Sequence, residues 1–201
     1  SGGFAAYTID RTVNLGNSGA TVTWGAGGFV PDNTSLILGA QDADKTVVFV
    51  NGIDLGRKSR MFEVISGNSS TYVDARVNGV LEAEGGRVVK AGNGVLELNA
   101  VNTFTGGTSL AEGTLVAVND GSLGTGLVEI GTTTDTRSPD AALNLVFQGS
   151  VMSNAMKYGN VNGEGISVFT TSGFATTVTG SIEVGRVSGG NILLVTPDSS
   201  S

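Results

Sequence analysis

Short runs of apolar and β-branched residues recur along the whole chain, and glycine, asparagine or aspartate separates them. The runs at 46–50, 95–98 and 114–118 alternate apolar and polar side chains, which is typical of strands with one buried face. A sustained helical period is absent, and only 151–158 has a pattern that two helical turns would explain. The sequence therefore predicts an all-β protein, which is a sandwich, a barrel or a solenoid.

Apolar strand positions also recur at a nearly constant interval. The interval is 19 residues from Leu96 to Leu115, 18 from Leu110 to Val128 and 19 from Phe147 to Ile166. This recurrence indicates a parallel β-helix whose coils stack about 4.8 Å apart, and about 19 residues per coil would give roughly ten coils. Hairpins remain an alternative, because Asn-Gly or Asp-Gly pairs typical of their turns stand at 51–52, 78–79, 93–94, 120–121 and 162–163.

Composition narrows the class of protein. The 201 residues include 32 glycines but only 3 prolines, which favours many tight turns over a disordered linker. The net charge of -7 opposes binding to nucleic acid or to anionic lipid. The chain has no cysteine and no histidine, so disulfides, thiolate chemistry and the commonest general base are all excluded. No apolar run reaches the roughly 20 residues of a spanning helix, so we expect no membrane insertion by this segment.

The segment from Lys90 to Gly124 carries the most specific pattern in the chain. Glycines bracket tight turns, apolar residues alternate in the strands between them, and an Asn-Thr-Phe-Thr run leads into a Gly-Gly pair. The residues that define the pattern are Lys90, Gly92, Gly94, Leu96, Leu98, Asn102, Thr103, Phe104, Thr105, Gly106, Gly107, Thr108, Gly113, Thr114 and Leu115. Asn102 and Thr103 fit a coil corner, where asparagine tolerates left-handed dihedral angles.

This pattern resembles the passenger-associated repeat of bacterial autotransporters, which reads approximately K-x-G-x-G-x-L-x-L-x-x-x-N-T-[FY]-T-G-G-T-x-[VL]-x-x-G-T-L. The repeat occupies about 87–117, and the segments 22–44 and 47–64 also resemble family material, so the resemblance extends over 20–130. It implies a right-handed parallel β-helix, and we expect 1–201 to be a single fragment of a larger protein.

The resemblance also implies a function. The chain would be a structural stalk or spacer of a bacterial surface or secreted protein, and it would fold stepwise during export. Its expected partners are neighbouring β-helix coils of the parent chain, with end-to-end self-association and surface glycans as further candidates. A glycan-binding adhesin segment is the alternative, followed by a β-helix polysaccharide lyase or hydrolase.

The candidates for chemistry are weak. Asp42 and Asp44 could hold Ca²⁺, but no further ligands follow them, so a solvated turn is the simpler interpretation. Arg57, Lys58 and Arg60 form a basic cluster near Asp54, and a lyase would use such groups beside a cation. No motif joins the acidic and basic groups.

A carboxylate pair drawn from Glu82, Glu84 and Glu97 could serve glycoside hydrolysis, although an outward-facing strand edge explains these residues equally well. The glycine-rich stretch 25–29 lacks the lysine and helix of a phosphate loop, so it is interpreted as a turn. We therefore expect no catalytic residue, no cofactor and no metal site.

Two structural expectations follow from the pattern. Leu96, Leu98, Leu110, Val116, Val128 and Ile130 should point inward, with the strand register uncertain by one residue at Leu115 and Val116. Gly106 or Gly107 should have a positive φ, because the chain turns sharply there. Of the aromatic residues that could stack on a glycan, namely Trp24, Phe29, Tyr72 and Phe104, we expect each to lie in the core.

Overall fold

The structure is a computed structural model, and it describes residues 2–68, 73–131, 143–158, 166–171, 176–184 and 191–195. The described chain is all-β, apart from one 3-10 turn at Leu15–Asn17. Every pairing between its strands is parallel, and one isolated bridge between Ala6 and Lys45 is antiparallel. The prediction of an all-β fold is confirmed, and the hairpin alternative is wrong for the described residues, whereas the pair at 162–163 lies outside them.

Two sheets of eight strands each run through the described residues. The first sheet contains, in order, β1 Gly2–Phe4, β4 Leu36–Leu38, β7 Ser59–Val64, β10 Arg87–Ala91, β12 Thr108–Leu110, β14 Val128–Ile130, β17 Met156–Tyr158 and β20 Ile182–Val184. The second contains β2 Arg11–Val13, β5 Val47–Phe49, β8 Ala75–Val77, β11 Val95–Leu98, β13 Thr114–Ala117, β15 Leu143–Phe147, β18 Ile166–Thr171 and β21 Asn191–Val195.

Two small sheets complete the strands. One contains β3 Val22–Thr23, β6 Ile53–Asp54 and β9 Leu81–Glu82, and the other contains β16 Val151–Met152 and β19 Thr177–Val178. The chain thus visits the two large sheets in turn and returns to pair beside its own earlier strand. We call the chain from one strand of the first sheet to the next strand of that sheet a circuit, numbered from β1. This topology is consistent with a parallel β-helix.

The circuits differ in length. Leu96 pairs with Leu115, as the interval of 19 residues predicted. Elsewhere the prediction of a constant coil is wrong: Gly2 pairs with Leu36, 34 positions later, and Ile130 pairs with Tyr158, 28 positions later. Leu110 pairs with Ile130 rather than Val128, and Phe147 pairs with Thr171 rather than Ile166. Longer corners absorb the extra residues, so the described first sheet has eight strands instead of roughly ten.

A continuous core lies between the sheets, and its residues stack in register. In the first sheet one inner column consists of Leu36, Phe62, Lys90, Leu110, Ile130 and Tyr158. In the second sheet one inner column consists of Phe49, Val77, Leu98, Ala117 and Phe147. All these side chains are buried, so the inner face of each sheet forms a row of like-positioned residues along the stack.

The predicted inward positions are confirmed with one exception. Leu96, Leu98, Leu110, Val128 and Ile130 are fully buried in the core. Val116 pairs with Glu97 and lies outside the core cluster, whereas Leu115 belongs to it, so the prediction for Val116 is wrong by one residue.

The helical possibility for 151–158 is also wrong, because β16 and β17 occupy that stretch. Sidedness on a strand has a period of two, so Met152, Met156 and Tyr158 can be buried there without any helix. Within the described residues, no helix has the length and hydrophobicity that a membrane span requires.

Candidate functional site

The repeat segment contains a lysine inside the core. Lys90 lies on β10 between Phe62 and Leu110 in an inner column, and its side chain is fully buried. The ammonium donates hydrogen bonds to the carbonyl oxygens of Ala91 at 3.0 Å, Gly92 at 2.6 Å and Glu112 at 2.9 Å. All three donors of the ammonium are therefore used, while the alkyl stem fills an apolar position.

The acceptors of Lys90 join two successive circuits. Gly92 belongs to the corner after β10, and Glu112 belongs to the equivalent corner after β12. Burial lowers the pKa of Lys90 to about 7, although the charges of Glu112 and Asp74 act in the opposite direction. Lys90 thus holds two stacked corners together at an energetic cost that the carbonyls only partly offset.

The glycines of these corners lie where another circuit leaves no room for a side chain. Gly92 has a φ of 75°, and a Cβ there would lie 2.3 Å from the carbonyl oxygen of Val64. Gly113 has a φ of 72°, and its Cβ would lie 2.5 Å from the carbonyl oxygen of Gly92. Gly94 is equally confined, because its Cβ would lie 2.9 Å from a carboxylate oxygen of Asp74. Glycine is therefore required at these three positions because the neighbouring circuit packs too closely to leave room for a side chain.

Asn102 links three circuits through its buried side chain. Its Oδ1 accepts a hydrogen bond from the amide of Leu81 at 2.8 Å, and its Nδ2 donates to the carbonyl oxygen of Ser122 at 2.6 Å. The next residue continues the contact, because the amide of Thr103 donates to the carbonyl oxygen of Leu81 at 3.0 Å. Asn102 is not among the positive-φ residues of the described chain, so its amide side chain matters here and a left-handed backbone does not.

The Gly106-Gly107 corner has the predicted geometry. Gly107 has a φ of 91°, which confirms the expectation of a positive φ at one of the two glycines. A Cβ on Gly107 would lie 2.3 Å from the carbonyl oxygen of Leu127, and one on Gly106 would lie 2.5 Å from that of Gly85. The hydroxyl of Thr105 accepts a hydrogen bond from the amide of Gly85 at 2.8 Å, so this corner too is bonded to the preceding circuit.

The remaining positions of the pattern build the core. The hydroxyl of Thr108 donates to the carbonyl oxygen of Leu123 at 2.9 Å, which satisfies a fully buried polar group. Phe104 is fully buried, as expected, and a Cβ on Gly124 would lie 2.6 Å from its ring. Leu115 lies above Leu96 in the second sheet. Thr114 begins β13, where its amide donates to the carbonyl oxygen of Gly94 at 3.3 Å.

Asp42 and Asp44 both accept hydrogen bonds from residues of the first circuit. The phenol of Tyr7 donates to Asp42 at 2.8 Å, and the amide of Thr8 donates to Asp44 at 2.7 Å. The hydrogen bond with Asp42 raises the pKa of the exposed Tyr7 phenol. In the described part of the chain, no three metal-ligating side chains gather into one group.

Two members of the basic cluster, Lys58 and Arg60, bind a carboxylate that the sequence pattern did not predict as their partner. Lys58 and Arg60 both donate to Asp32, each at 2.6 Å, and these hydrogen bonds lower the pKa of that carboxyl. Arg60 is buried and also donates to the carbonyl oxygens of Leu55 at 2.7 Å and Trp24 at 3.1 Å. Asp32 lies 28 positions from Arg60, and no local spacing in the sequence signals such a contact.

Arg57 pairs with Glu84, an exposed carboxylate of the next circuit. The structure thus brings Arg57, Lys58 and Arg60 to Asp32 and Glu84, and Asp54 instead accepts from the amide of Gly56 at 2.8 Å. The basic cluster consequently joins circuits together through ion pairs and carbonyl contacts.

The candidate glutamates do not come together as a pair, and the glycine-rich stretch has a structural role. Glu97 lies in the second sheet and pairs with Arg76, whereas Glu82 lies in a small sheet, so the two carboxylates belong to different faces. The stretch 25–29 is a turn, as expected, closed by a hydrogen bond from the amide of Gly25 to the carbonyl oxygen of Val30 at 2.9 Å.

The aromatic predictions agree with the structure where it describes them. Trp24 is buried, and Phe29 is partly buried against the core. Tyr72 lies outside the described residues.

One cavity of about 410 Å³ opens at the first circuit. Gly2, Phe4 and Leu15 line one side of it, and the turn 27–31 lines the other. The lining is mainly apolar, so this is the open mouth of the core at β1.

In the comparison with protein families, residues 88–117 fit the model of the passenger-associated-transport-repeat. Neither the comparison with curated proteins nor that with solved structures finds a match. The matched residues contain the Lys90 corner, the Asn102 link and the Gly106-Gly107 corner. The chain carries a passenger-associated transport repeat of the kind found in autotransporter passengers.

Proposed function

We propose that this chain is a segment of right-handed parallel β-helix that serves as a structural stalk in a surface-displayed or secreted bacterial protein. The observation that carries the proposal is the set of buried side-chain links between circuits in the repeat, above all Asn102 between Leu81 and Ser122. Such links resist separation of the circuits, which is what a stiff spacer requires. Neighbouring coils of the parent chain are the partners that this role implies.

The repeat supports a location outside the bacterial cell, because it is named for the transport of passenger segments. Stepwise folding during export is part of the proposal. Each circuit buries its apolar face on the one before it, so folding can propagate along the stack.

Distance measurement on a doubly labelled chain tests the stalk. The sequence has no cysteine, so Thr12→Cys and Glu183→Cys provide the only attachment points for spin labels. These exposed sites lie on different sheets near opposite ends of the described stack, and the strands stacked between them at about 4.8 Å each predict a distance of roughly 30 Å or more. A stiff stalk gives one narrow distance distribution at low and high salt. A broad distribution in a chain with a native circular dichroism spectrum would contradict the proposal.

We further propose that the segment has no catalysis of its own. Among the groups considered above, Asp32, Glu84 and Glu97 pair with basic side chains and Asp54 bonds the backbone. Incubation with pectin, alginate, chitin and mixed glucans, followed by reducing-end and unsaturated-product assays, tests this proposal. Turnover that is lost in Asp42→Asn or Asp44→Asn would replace the stalk with an enzyme.

A glycan-binding side face is the second candidate function. Val80 and Val101 are 40% and 61% exposed, and two positions before each stands an asparagine. The side chains of these residues, Asn78 and Asn99, are joined by a hydrogen bond of 2.9 Å. A row of amides beside apolar side chains offers both hydrogen bonds and contact area to a neutral sugar. A glycan array with the wild type and with Val101→Asp tests this candidate, and absence of binding by the wild type would exclude it.

A further inference from the structure

Asparagine followed by glycine is the sequence in which an asparagine side chain reacts most readily with its own backbone. Glycine has no side chain to shield its amide nitrogen, so this nitrogen can attack the side-chain carbonyl carbon of the asparagine before it. The chain has such pairs at 51–52, 78–79, 93–94 and 162–163, and the last pair lies outside the described residues. The three described pairs have different surroundings, so the fold decides which of them can react.

The first pair is locked in a corner of the second circuit. The side chain of Asn51 is fully buried, and its Oδ1 accepts a hydrogen bond from the amide of Leu15 at 2.7 Å. Its Nδ2 donates to the carbonyl oxygens of Leu15 at 3.0 Å and Ala20 at 2.8 Å. Gly52 is buried as well. Reaction at this pair would break all of these buried hydrogen bonds, so the fold protects it.

The pair at 93–94 is protected through its attacking nitrogen. Asn93 is exposed, but Gly94 is buried and its amide donates to the carbonyl oxygen of Val64 at 2.9 Å. The Oδ1 of Asn93 accepts a hydrogen bond from the amide of Ser66 at 3.0 Å. Both reacting groups are thus bonded to the preceding circuit.

The pair at 78–79 has neither protection. Asn78 is exposed, and in the part of the chain that the structure describes the amide of Gly79 makes no hydrogen bond. The Oδ1 of Asn78 accepts a hydrogen bond from the Nδ2 of Asn99 at 2.9 Å. This donor lies at the oxygen that gains negative charge when a nucleophile adds to the carbonyl carbon, so the contact favours the addition.

Stacking of the circuits requires the glycine of this pair. A Cβ at Gly79 would lie 1.9 Å from the carbonyl oxygen of Asn51 in the preceding circuit, and 2.6 Å from the amide nitrogen of Gly52. A larger residue would therefore displace the corner. The fold thus keeps glycine after Asn78 and leaves the asparagine open to attack.

We propose that Asn78 is a site of spontaneous modification, which the folded chain converts to an aspartyl or isoaspartyl residue through a cyclic imide with Gly79. The nitrogen of Gly79 loses its proton and bonds to Cγ of Asn78, and the bond from Cγ to Nδ2 breaks to release ammonia. Water then adds to one of the two imide carbonyl carbons, and the bond from that carbon to the nitrogen breaks. One opening gives the aspartyl residue, and the other gives the isoaspartyl residue.

The two products change this side face in different ways. An aspartyl residue keeps the length of the main chain and places a carboxylate beside the amide of Asn99. An isoaspartyl residue adds a methylene group to the main chain, where Gly79 already packs against Asn51. The neighbouring hydrogen bond from the amide of Ile53 to the carbonyl oxygen of Val80, at 2.9 Å, should then weaken.

Peptide mapping by mass spectrometry tests the proposal on the purified chain. Trypsin separates the three asparagines into the peptides 46–57, 77–87 and 91–137. After incubation of the folded chain at mildly alkaline pH, we expect the mass change of amide loss in 77–87, while positions 51 and 93 stay unchanged. Hydroxylamine cleaves cyclic imides of this kind, and it should cut the folded chain between Asn78 and Gly79.

The same incubation in urea is the control, because the unfolded chain keeps the sequence and loses the protection. All three asparagines should then convert at similar rates. Asn78→Gln should abolish the change in 77–87 of the folded chain, because glutamine would have to close a larger ring. The proposal is overturned if Asn51 or Asn93 converts as fast as Asn78 in the folded chain. It is also overturned if 77–87 stays intact in the folded chain while it converts in urea.

Discussion

The repeat at 88–117 and the first two circuits build the same sheets by different means. In the repeat, Lys90 and Leu110 are 20 positions apart, and buried polar side chains hold the corners. In the first circuit the corresponding step is 34 residues, and aromatic side chains provide the packing. Both regions use a buried asparagine to bond the backbone of a neighbouring circuit, and the long first circuit adds an aromatic cluster that packs its loop over the core.

The aromatic cluster shows how the long circuit is held. The ring of Trp24 lies 5.3 Å from that of Phe62, and the ring of Phe29 lies 5.9 Å from that of Phe49. The guanidinium carbon of Arg60 lies 5.5 Å from the Trp24 ring centre, at a distance where a cation attracts the ring face. Arg60 and Lys90 are thus two buried cations with different partners, since Arg60 has the carboxylate of Asp32 and Lys90 has backbone carbonyls.

The largest effect should come from the glycine corners. Gly107→Val places a side chain against the carbonyl oxygen of Leu127 at a φ of 91°, so we expect loss of the folded state or destabilisation by more than about 4 kcal/mol. Gly27→Val is the control, because its φ is 62° but nothing lies within 4 Å of its Cβ. That variant should lose only about 1–2 kcal/mol. Urea unfolding of both variants measures the difference, and equal losses would contradict it.

The next effect concerns one core column at its middle and at its edge. Leu98→Ala should cost about 2–5 kcal/mol, because the side chain is fully buried between Val77 and Ala117. Val13→Ala changes the edge position of the same column, where the side chain is only half-buried, and should cost less than about 1 kcal/mol. Thermal melts measure both, and an unchanged midpoint for Leu98→Ala would show that this column does not support the fold.

Asn102 and Asn51 join different circuits, so replacing each one tests a different region of the stack. Asn102→Ala leaves the buried amide of Leu81 and carbonyl of Ser122 without their partner, which should cost about 1–3 kcal/mol. Asn51→Ala removes bonds to Leu15 and Ala20 in the first circuit only. Hydrogen exchange should therefore increase at Leu81 in the first variant and at Leu15 in the second. Increases at both sites in either variant would mean that the two corners unfold together.

The remaining effect should be a pH dependence confined to the repeat, which is expressed as a slope and not as a single loss. The pKa of Lys90 in the folded protein is about 7, and that of an unfolded lysine is about 10.4, so between these values the unfolded chain binds more protons. Stability contributed by Lys90 is fully present above the higher value and decreases as the pH falls toward 7, by at most about 1.4 kcal/mol per pH unit.

Urea unfolding between pH 7 and 9.5 measures this effect, as the difference between the wild type and Lys90→Met. Lys58→Met is the control, because its ammonium is largely exposed and pairs with Asp32 at the surface. A wild-type curve parallel to that of Lys90→Met would show that Lys90 does not change its protonation on folding.

Sequence alone predicted what depends on local pattern. The alternation of apolar and polar residues predicted the strands of the repeat. The family pattern predicted the corners at Asn102 and Gly107 and the inward position of Leu98. The spacing rule failed where corners lengthen, because the strand register fixes which residues pair but places no limit on the loop between them. Val116 was misplaced because Leu115 and Val116 are both apolar, so the alternation of the strand could be read in two ways.

The polar links of the candidate site could not be predicted from pattern. Asp32 pairs with Arg60, which lies 28 positions later in the chain. Asn102 bonds Leu81 and Ser122, which belong to two different circuits. These contacts follow from stacking, and stacking depends on loop lengths that local sequence does not reveal. The burial of Lys90 does have a signal in the sequence. Lys90 lies two positions after Val88, so both side chains point to the same, apolar face of the strand.

The Asn102 link has a mechanical consequence. When a stack of parallel strands is pulled along its axis, every strand-to-strand ladder carries the same force, so the weakest ladder yields first. A side chain bonded at 2.8 Å and 2.6 Å to the circuits on both sides carries tension past its own ladder and shares it with the next. Under an axial pull, rupture should therefore begin at the terminal circuits, and the segment around Asn102 should be the last to extend.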